Sequence, residues 1–156
     1  MITIRSAELK DIKDIIEIFT YLIKIHLEFD RQYYRTGKNF NSSVENWIKA
    51  QIEVPSHFLF VSVQNNGISG FVSGYIKYLF PWYRITTVGH ISFLVVKEKF
   101  QKKGIGKALM AEAERWFKNK DLEYIEVFAN EKNSAGVSAW KSYGFSVLNL
   151  FLRKKI

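Results

Sequence analysis

The chain contains no cysteine, which removes disulfides, thiol nucleophiles and cysteine-ligated zinc or iron–sulfur centres together. It has 2 prolines and 3 histidines, and His26, His57 and His90 are too dispersed for metal-ligand spacing, so no metal is expected. No window approaches the roughly 18 uninterrupted apolar residues of a membrane span. The opening Met1-Ile2-Thr3-Ile4-Arg5 reads as a strand rather than a charged leader with an apolar stretch behind it. Together these absences lead us to expect a soluble, cytoplasmic protein. Negative charge is also scarce: 15 acidic residues face 23 basic ones, a formal charge of +8. Such a surface favours polyanions, whether nucleic acid, acidic lipid or a phosphorylated cofactor. What is abundant is core material. Apolar residues make up 47% and aromatics 16% of 156 residues, which excludes disorder and suits one domain over 1–156.

The apolar period changes repeatedly along the chain, so strands and helices are mixed. Residues 2–5 suit a first strand. Ile12, Ile15, Ile16, Phe19, Leu22, Ile23 and Leu27 share one broad helical face. A polar stretch from Gly37 to Ser43 follows, then a shorter helix over 44–53, closed by Pro55. Two β-rich runs, 58–63 and 71–76, flank Asn65-Asn66-Gly67, whose Asn-Gly pair is a strong hairpin signal. Further strands are expected over 87–96 and 122–129, helices over 104–118 and 134–143, and strand character over 145–153. This order predicts an α/β fold with a mixed, mostly antiparallel central sheet and flanking helices.

The chemistry concentrates where the strand ending Leu94-Val95-Val96 runs through Gln101-Lys102-Lys103-Gly104-Ile105-Gly106-Lys107 into a helix. Unpaired N–H groups at a helix start, the helix dipole and glycines that admit close approach together make an anion site. A P-loop would need glycine at 101 and Ser or Thr at 108, but Gln101 and Ala108 stand there. A dinucleotide fingerprint would need glycine at 109, where the chain has Leu109.

The remaining pattern, Gln101-x-x-Gly104-x-Gly106, resembles the Gln/Arg-x-x-Gly-x-Gly/Ala signature of the GNAT superfamily of N-acetyltransferases. The later stretch Asn133-Ser134-Ala135-Gly136-Val137-Ser138-Ala139-Trp140-Lys141-Ser142-Tyr143-Gly144-Phe145 is similar to that family's second motif. The resemblance implies acetyl-coenzyme A, with coenzyme A as product. Leu94, Val95 and Val96 would pair with the pantetheine arm, and Gln101, Lys102, Lys103, Gly104, Ile105, Gly106 and Lys107 would hold the diphosphate. Asn133 and Trp140 would lie along the cofactor's far side. It further implies direct attack of an amine on the acetyl thioester in a ternary complex.

An amine nucleophile must be neutral, yet a lysine-like amine has a pKa of about 10.4, so a base is useful. His90 stands where many members of that family carry a glutamate, and a neutral imidazole can accept a proton at pH 7. Trp140 occupies the family's usual tyrosine position, and indole N–H is no useful acid. Tyr143, three residues on, is the substitute proton donor. Phe29, Asp30, Tyr33, Tyr34, Phe80, Trp82 and Tyr83 are candidates for contacting the acceptor, a small-molecule or peptide amine, with Asp30 drawing its positive charge. Two rivals stay open: a basic RNA-binding α/β module, though it lacks an RNA-recognition signature, and a catalytically silent acyl-CoA sensor. After Phe145 only eleven residues remain. That is short for two closing strands, which leaves a tight hairpin or one long strand, the latter raising the expectation of a homodimer completed through this edge.

Overall fold

The computed structural model describes residues Met1–Ile156. In chain order the elements are β1 (Thr3–Ser6), α1 (Ile12–Phe29), α2 (Phe40–Glu53), β2 (His57–Gln64), β3 (Gly67–Tyr78), β4 (Thr87–Val96), α3 (Ile105–Lys118), β5 (Ile125–Val127) and α4 (Ser134–Ser142). Short 3-10 turns at Leu9–Asp11 and Glu98–Phe100 lead into α1 and toward α3. No helix is long and apolar enough to cross a membrane.

The strands form a 5-stranded sheet in the order β1-β2-β3-β4-β5. Neighbours are antiparallel from β1 to β4, whereas β4 and β5 run parallel, joined by the α3 crossover. This is the expected mixed, mostly antiparallel sheet. The β2–β3 hairpin turns on Asn65 (φ 48°) and Asn66 (φ 63°), while Gly67 already begins β3. Both central residues thus take the left-handed conformation that two-residue hairpins require. The sequence had placed that freedom on the Asn-Gly pair, one position later.

Alternation along the strands buries both sheet faces. On one, α1 and α2 place Ile15, Ile18, Phe19, Val44 and Ile48 against Leu59, Val61, Phe71 and Val95. On the other, α3 packs Ile105, Leu109, Met110, Ala113 and Phe117 against Phe58, Phe60, Val72 and Ile91. Each such side chain contributes about 1.5–3 kcal/mol of burial, so the helices are held chiefly by these stripes. At the entry to α1, Arg5 grips Asp11 through two hydrogen bonds of 2.6 and 2.9 Å, and the Glu8 N–H donates to the same carboxylate at 2.9 Å.

Three sequence expectations are corrected. Helix α2 starts at Phe40 rather than Val44, because Phe40 packs on Phe19 and draws an extra turn into the core. Strand β5 spans only Ile125–Val127, because β4 pairs with it only at Gly89, His90 and Ile91 before bulging at Ser92. Residues 145–153 form no strand; beyond Phe145 the chain makes no backbone–backbone hydrogen bond, because no strand of this chain lies in register beside it.

Candidate functional site

Strands β4 and β5 are partners only as far as Ile91 and Val127. Past that point β4 continues through Leu94, Val95 and Val96, paired with β3 on one side and with no strand on the other. The register of β3 against β4 shifts so that Ser73 and Gly74 oppose Phe93 and Ile91, leaving Ser92 as the extra residue. A bulge of this kind bends the strand and increases its twist, which opens a wedge beside residues 94–96. Its free backbone groups can take an extended ligand as an added strand.

The wedge leads to the loop before α3. The Gln101 side chain pins that loop by donating to the Val96 carbonyl at 3.0 Å, with Tyr21 Oη 3.4 Å away. Lys102 (φ 58°) and Gly104 (φ 81°) both take left-handed backbone, turning successive N–H groups outward. The amides of Lys102, Lys103, Gly104, Ile105, Gly106 and Lys107 donate to no acceptor in the protein, and Ala108 is the first to bond, to the Gly104 carbonyl at 3.0 Å. Lys102, Lys103 and Lys107 are exposed, and none makes an ion pair with an acidic side chain. Consecutive unpaired amides, a helix start and unneutralised lysines fit a diphosphate at one place.

His90 lies at the closed end of the wedge. A side chain at its neighbour Gly89 would strike the Phe117 ring, so position 89 faces α3 and His90 faces the opposite layer. There it is 6% exposed, between Tyr75 (centroids 5.0 Å) and Phe128 (5.1 Å). Its Nδ1 is buried without a hydrogen-bond partner. Burial, and then the Lys77 ammonium, push the imidazole below its usual pKa of 6.5, while Glu126 pulls the other way. These surroundings favour the neutral ring, and its Nδ1 is left both covered and unpartnered.

Tyr143 is elsewhere. A Cβ built on Gly106 would come within 2.6 Å of its hydroxyl, so the phenol sits on the first turn of α3, beside the loop of unpaired amides. Burial raises its pKa above 10.0. A phenol so tuned holds its proton more tightly than a free thiol of pKa about 8.5, which argues against transfer to a leaving thiolate. His90 and Tyr143 share no contact. Trp140 packs edge-on to Tyr143 and Phe145 as part of the α3-side core. Asn133 caps α4, its Oδ1 accepting the Gly136 N–H at 2.9 Å.

Of the acceptor candidates, Phe29, Asp30, Tyr33 and Tyr34 come together at the end of α1. Tyr34 packs on His26 (4.7 Å) and Tyr33 (4.9 Å), and its hydroxyl accepts from Asn130 Nδ2 at 3.2 Å. The Asp30 carboxylate accepts the Tyr33 and Gln32 N–H groups at 2.9 and 3.0 Å. The Tyr33 amide first, and Arg153 after it, hold that carboxyl below the usual range. Phe80, Trp82 and Tyr83 form a separate exposed stack between β3 and β4, with 4.6 Å between the Phe80 and Trp82 centroids. A shallow recess lined by Lys24, Leu27, Glu28, Arg31, Gln32 and Arg35 shares no residue with either group.

Sequence reasoning missed the surroundings of His90. Lys77 and Glu126 pair at 2.9 Å beside it, and Phe128 closes over it. Nothing in the local sequence marks these residues. They meet only because β3, β4 and β5 set His90 opposite Tyr75 and Glu126.

Comparison with known proteins gives a consistent result. A family model described as the acetyltransferase (GNAT) family matches residues 19–145. A crystal structure of a protein from Bacillus halodurans superposes with a TM-score of 0.89 at 17% identity, covering 99% of each chain. A predicted acetyltransferase from Clostridium acetobutylicum, solved with acetyl-CoA, superposes at 0.76 with 16% identity, covering 99% of this chain and 96% of its own. AAC(6')-Iy, in complex with the bisubstrate analogue CoA-S-monomethyl-acetylneamine, superposes at 0.79 with 15% identity, covering 100% and 99%. At such identities the superpositions speak to the fold.

Proposed function

The chain belongs to the GNAT acetyltransferase family, and from that premise we propose that it transfers the acetyl group of acetyl-CoA to a primary amine of a small molecule or peptide. The observation that carries this reading is the run of amides from Lys102 to Lys107 without acceptors, placed where β4 loses its partner. Bound there, acetyl-CoA supplies an electrophilic thioester carbonyl. Amides 102–107, with Lys102, Lys103 and Lys107, hold the diphosphate, and the open edge of Leu94, Val95 and Val96 pairs with the pantetheine arm. Gly106 leaves room on the first turn of α3 for the Tyr143 hydroxyl.

His90 is the proton acceptor in this proposal. Burial keeps it neutral, which suits taking a proton from an ammonium by way of an intervening water, since Nδ1 itself is covered. Proximity supplies much of the remaining acceleration; the Val95 N–H turns to β3, as the Lys97 N–H does two residues on, so the Leu94 N–H on the open edge is the one that stabilises the tetrahedral oxyanion. Asp30 and the Tyr33 ring are already engaged by the Arg153 guanidinium, so a cationic acceptor binds there by displacing Arg153. Tyr143 acts at the diphosphate end as a packing and positioning group rather than as the acid. The thiolate takes its proton from solvent.

Amide chemical-shift mapping with coenzyme A, paired with a thiol-release screen over polyamines, aminoglycosides, amino acids and peptides, tests this reading. Shifts concentrated at residues 94–96 and 102–107, with turnover on at least one amine class, support it. Shifts without turnover on any class reassign the chain as an acyl-CoA sensor. Salt-sensitive RNA binding with no response to coenzyme A overturns the cofactor site altogether.

A further inference from the structure

Lys77 and Glu126 stand on β3 and β5, strands that are not neighbours because β4 runs between them. Their side chains nevertheless meet at 2.9 Å, spanning β4 on the face that carries Val88 and His90. Register places Lys77 opposite Val88, Tyr75 opposite His90 and Glu126 beside His90, so the bridge ends at the imidazole. The Lys77 ammonium also lies 5.4 Å from the centroid of Phe128, the ring that closes over His90. The two side chains are 31% and 24% exposed, whereas those of the Arg84–Glu123 pair are 74% and 57% exposed and their charges are screened by solvent. A pair withdrawn from water returns little net stability once desolvation is counted. What it does alter is the field at the group between its members.

We infer that Lys77 and Glu126 are positioning residues for His90: their bridge holds Phe128 over the ring and sets the ring's affinity for a proton. The inference rests on the reading of His90 as the proton acceptor. Tyr75 and Lys77 face the imidazole from β3, Glu126 faces it from β5 with Phe128 just beyond, and His57 of β2 stacks on Tyr75 at 5.5 Å. Among these, Lys77 and Glu126 are the charges that act on the ring, and they act in opposite senses. Burial first, and then the Lys77 ammonium, keep a proton off, while the Glu126 carboxylate favours one. The ammonium keeps the ring from being lost to protonation in mildly acidic solution. The carboxylate keeps it basic enough to take a proton from an attacking amine.

The His90 ring resonances, followed by NMR across pH in the full chain, test this without any acceptor. Lys77→Met leaves Glu126 alone beside the ring and is expected to raise the His90 midpoint by about one pH unit. Glu126→Gln, which keeps the shape of its side chain, leaves the ammonium unopposed and is expected to lower the midpoint. Lys77→Arg keeps both the charge and the pairing and is expected to restore the original midpoint. Midpoints that stay put in both charge-removing variants, or that move in the same direction, overturn the proposal, because a merely structural bridge has no sign. On an accepted amine, the acidic limb of thiol release is expected to move with each midpoint, changing kcat and leaving KM for acetyl-CoA constant. Opposite midpoint shifts in a chain that turns over no amine uphold the hold of the bridge on His90 and overturn the acetyl-transfer reading instead. Turnover with unmoved midpoints does the reverse.

Discussion

His90 can take a proton only by placing a charge in a site that is 6% exposed and already beside the Lys77 ammonium. Two predictions follow from that cost. Measured by thiol release, the acidic limb of the rate profile is expected below pH 6.5, and His90→Ala lowers turnover about 100-fold while removing the limb. Equal rates for the two proteins exclude His90 from the reaction. The same group links folding to pH. Unfolded His90 binds a proton near pH 6.5 and the folded form only at lower pH, so its contribution to stability is complete above about 6.5 and declines on acidification. Urea titrations at stepped pH are expected to show a shallower decline in His90→Gln. Asp11 behaves similarly at lower pH. The Arg5 hydrogen bonds depress its pKa first and foremost, so its contribution is present above about 3.9 and lost as pH falls through the folded value. Asp11→Asn is expected to cost about 2 kcal/mol in chemical unfolding at neutral pH.

At the scale of the element, the start of α3 depends on Gly106 for a reason the motif alone does not reveal. A methyl group there meets the Tyr143 hydroxyl at 2.6 Å. Gly106→Ala is expected to destabilise by about 1–2 kcal/mol through overpacking, and Tyr143→Phe to restore most of the loss by removing the struck atom. A thermodynamic cycle over these variants checks it; additive effects separate the two residues. The α4 cap gives a smaller effect. Asn133→Ala removes the acceptor for the Gly136 N–H and is expected to cost about 1 kcal/mol. The motif's Gly-x-Gly and Asn were readable from the chain, but their partners were not. Gly106 and Tyr143 are far apart in sequence and meet only once α4 lies against α3.

For the whole molecule, a ligand that binds only the folded form raises stability by an amount set by its concentration relative to its dissociation constant. At a hundredfold excess over that constant, coenzyme A adds about 2.7 kcal/mol, a melting shift that calorimetry resolves. Lys102→Glu/Lys103→Glu, which reverses the charge beside amides 102–107 at two exposed positions, is expected to diminish the shift strongly. An undiminished shift places the cofactor elsewhere. The basic balance of the chain contributes here too, since Lys102, Lys103 and Lys107 keep their charge free of acidic partners at the mouth of the groove.

Local patterning by itself determined the helices α1 and α3, the strands β2 to β4 and the loop from Gln101 to Lys107, because each is written in a short period or a fixed spacing. Tertiary structure alone decided what stands beside those segments. The bulge at Ser92 parts β4 from β5 and shortens the latter to Ile125–Val127. Strand register brings Lys77, Glu126 and Phe128 around His90. The run from Val147 to Leu152 has a strand's composition and no strand's partner. A strand is completed by hydrogen bonds to another segment, so sequence can supply its side chains but cannot supply its neighbour.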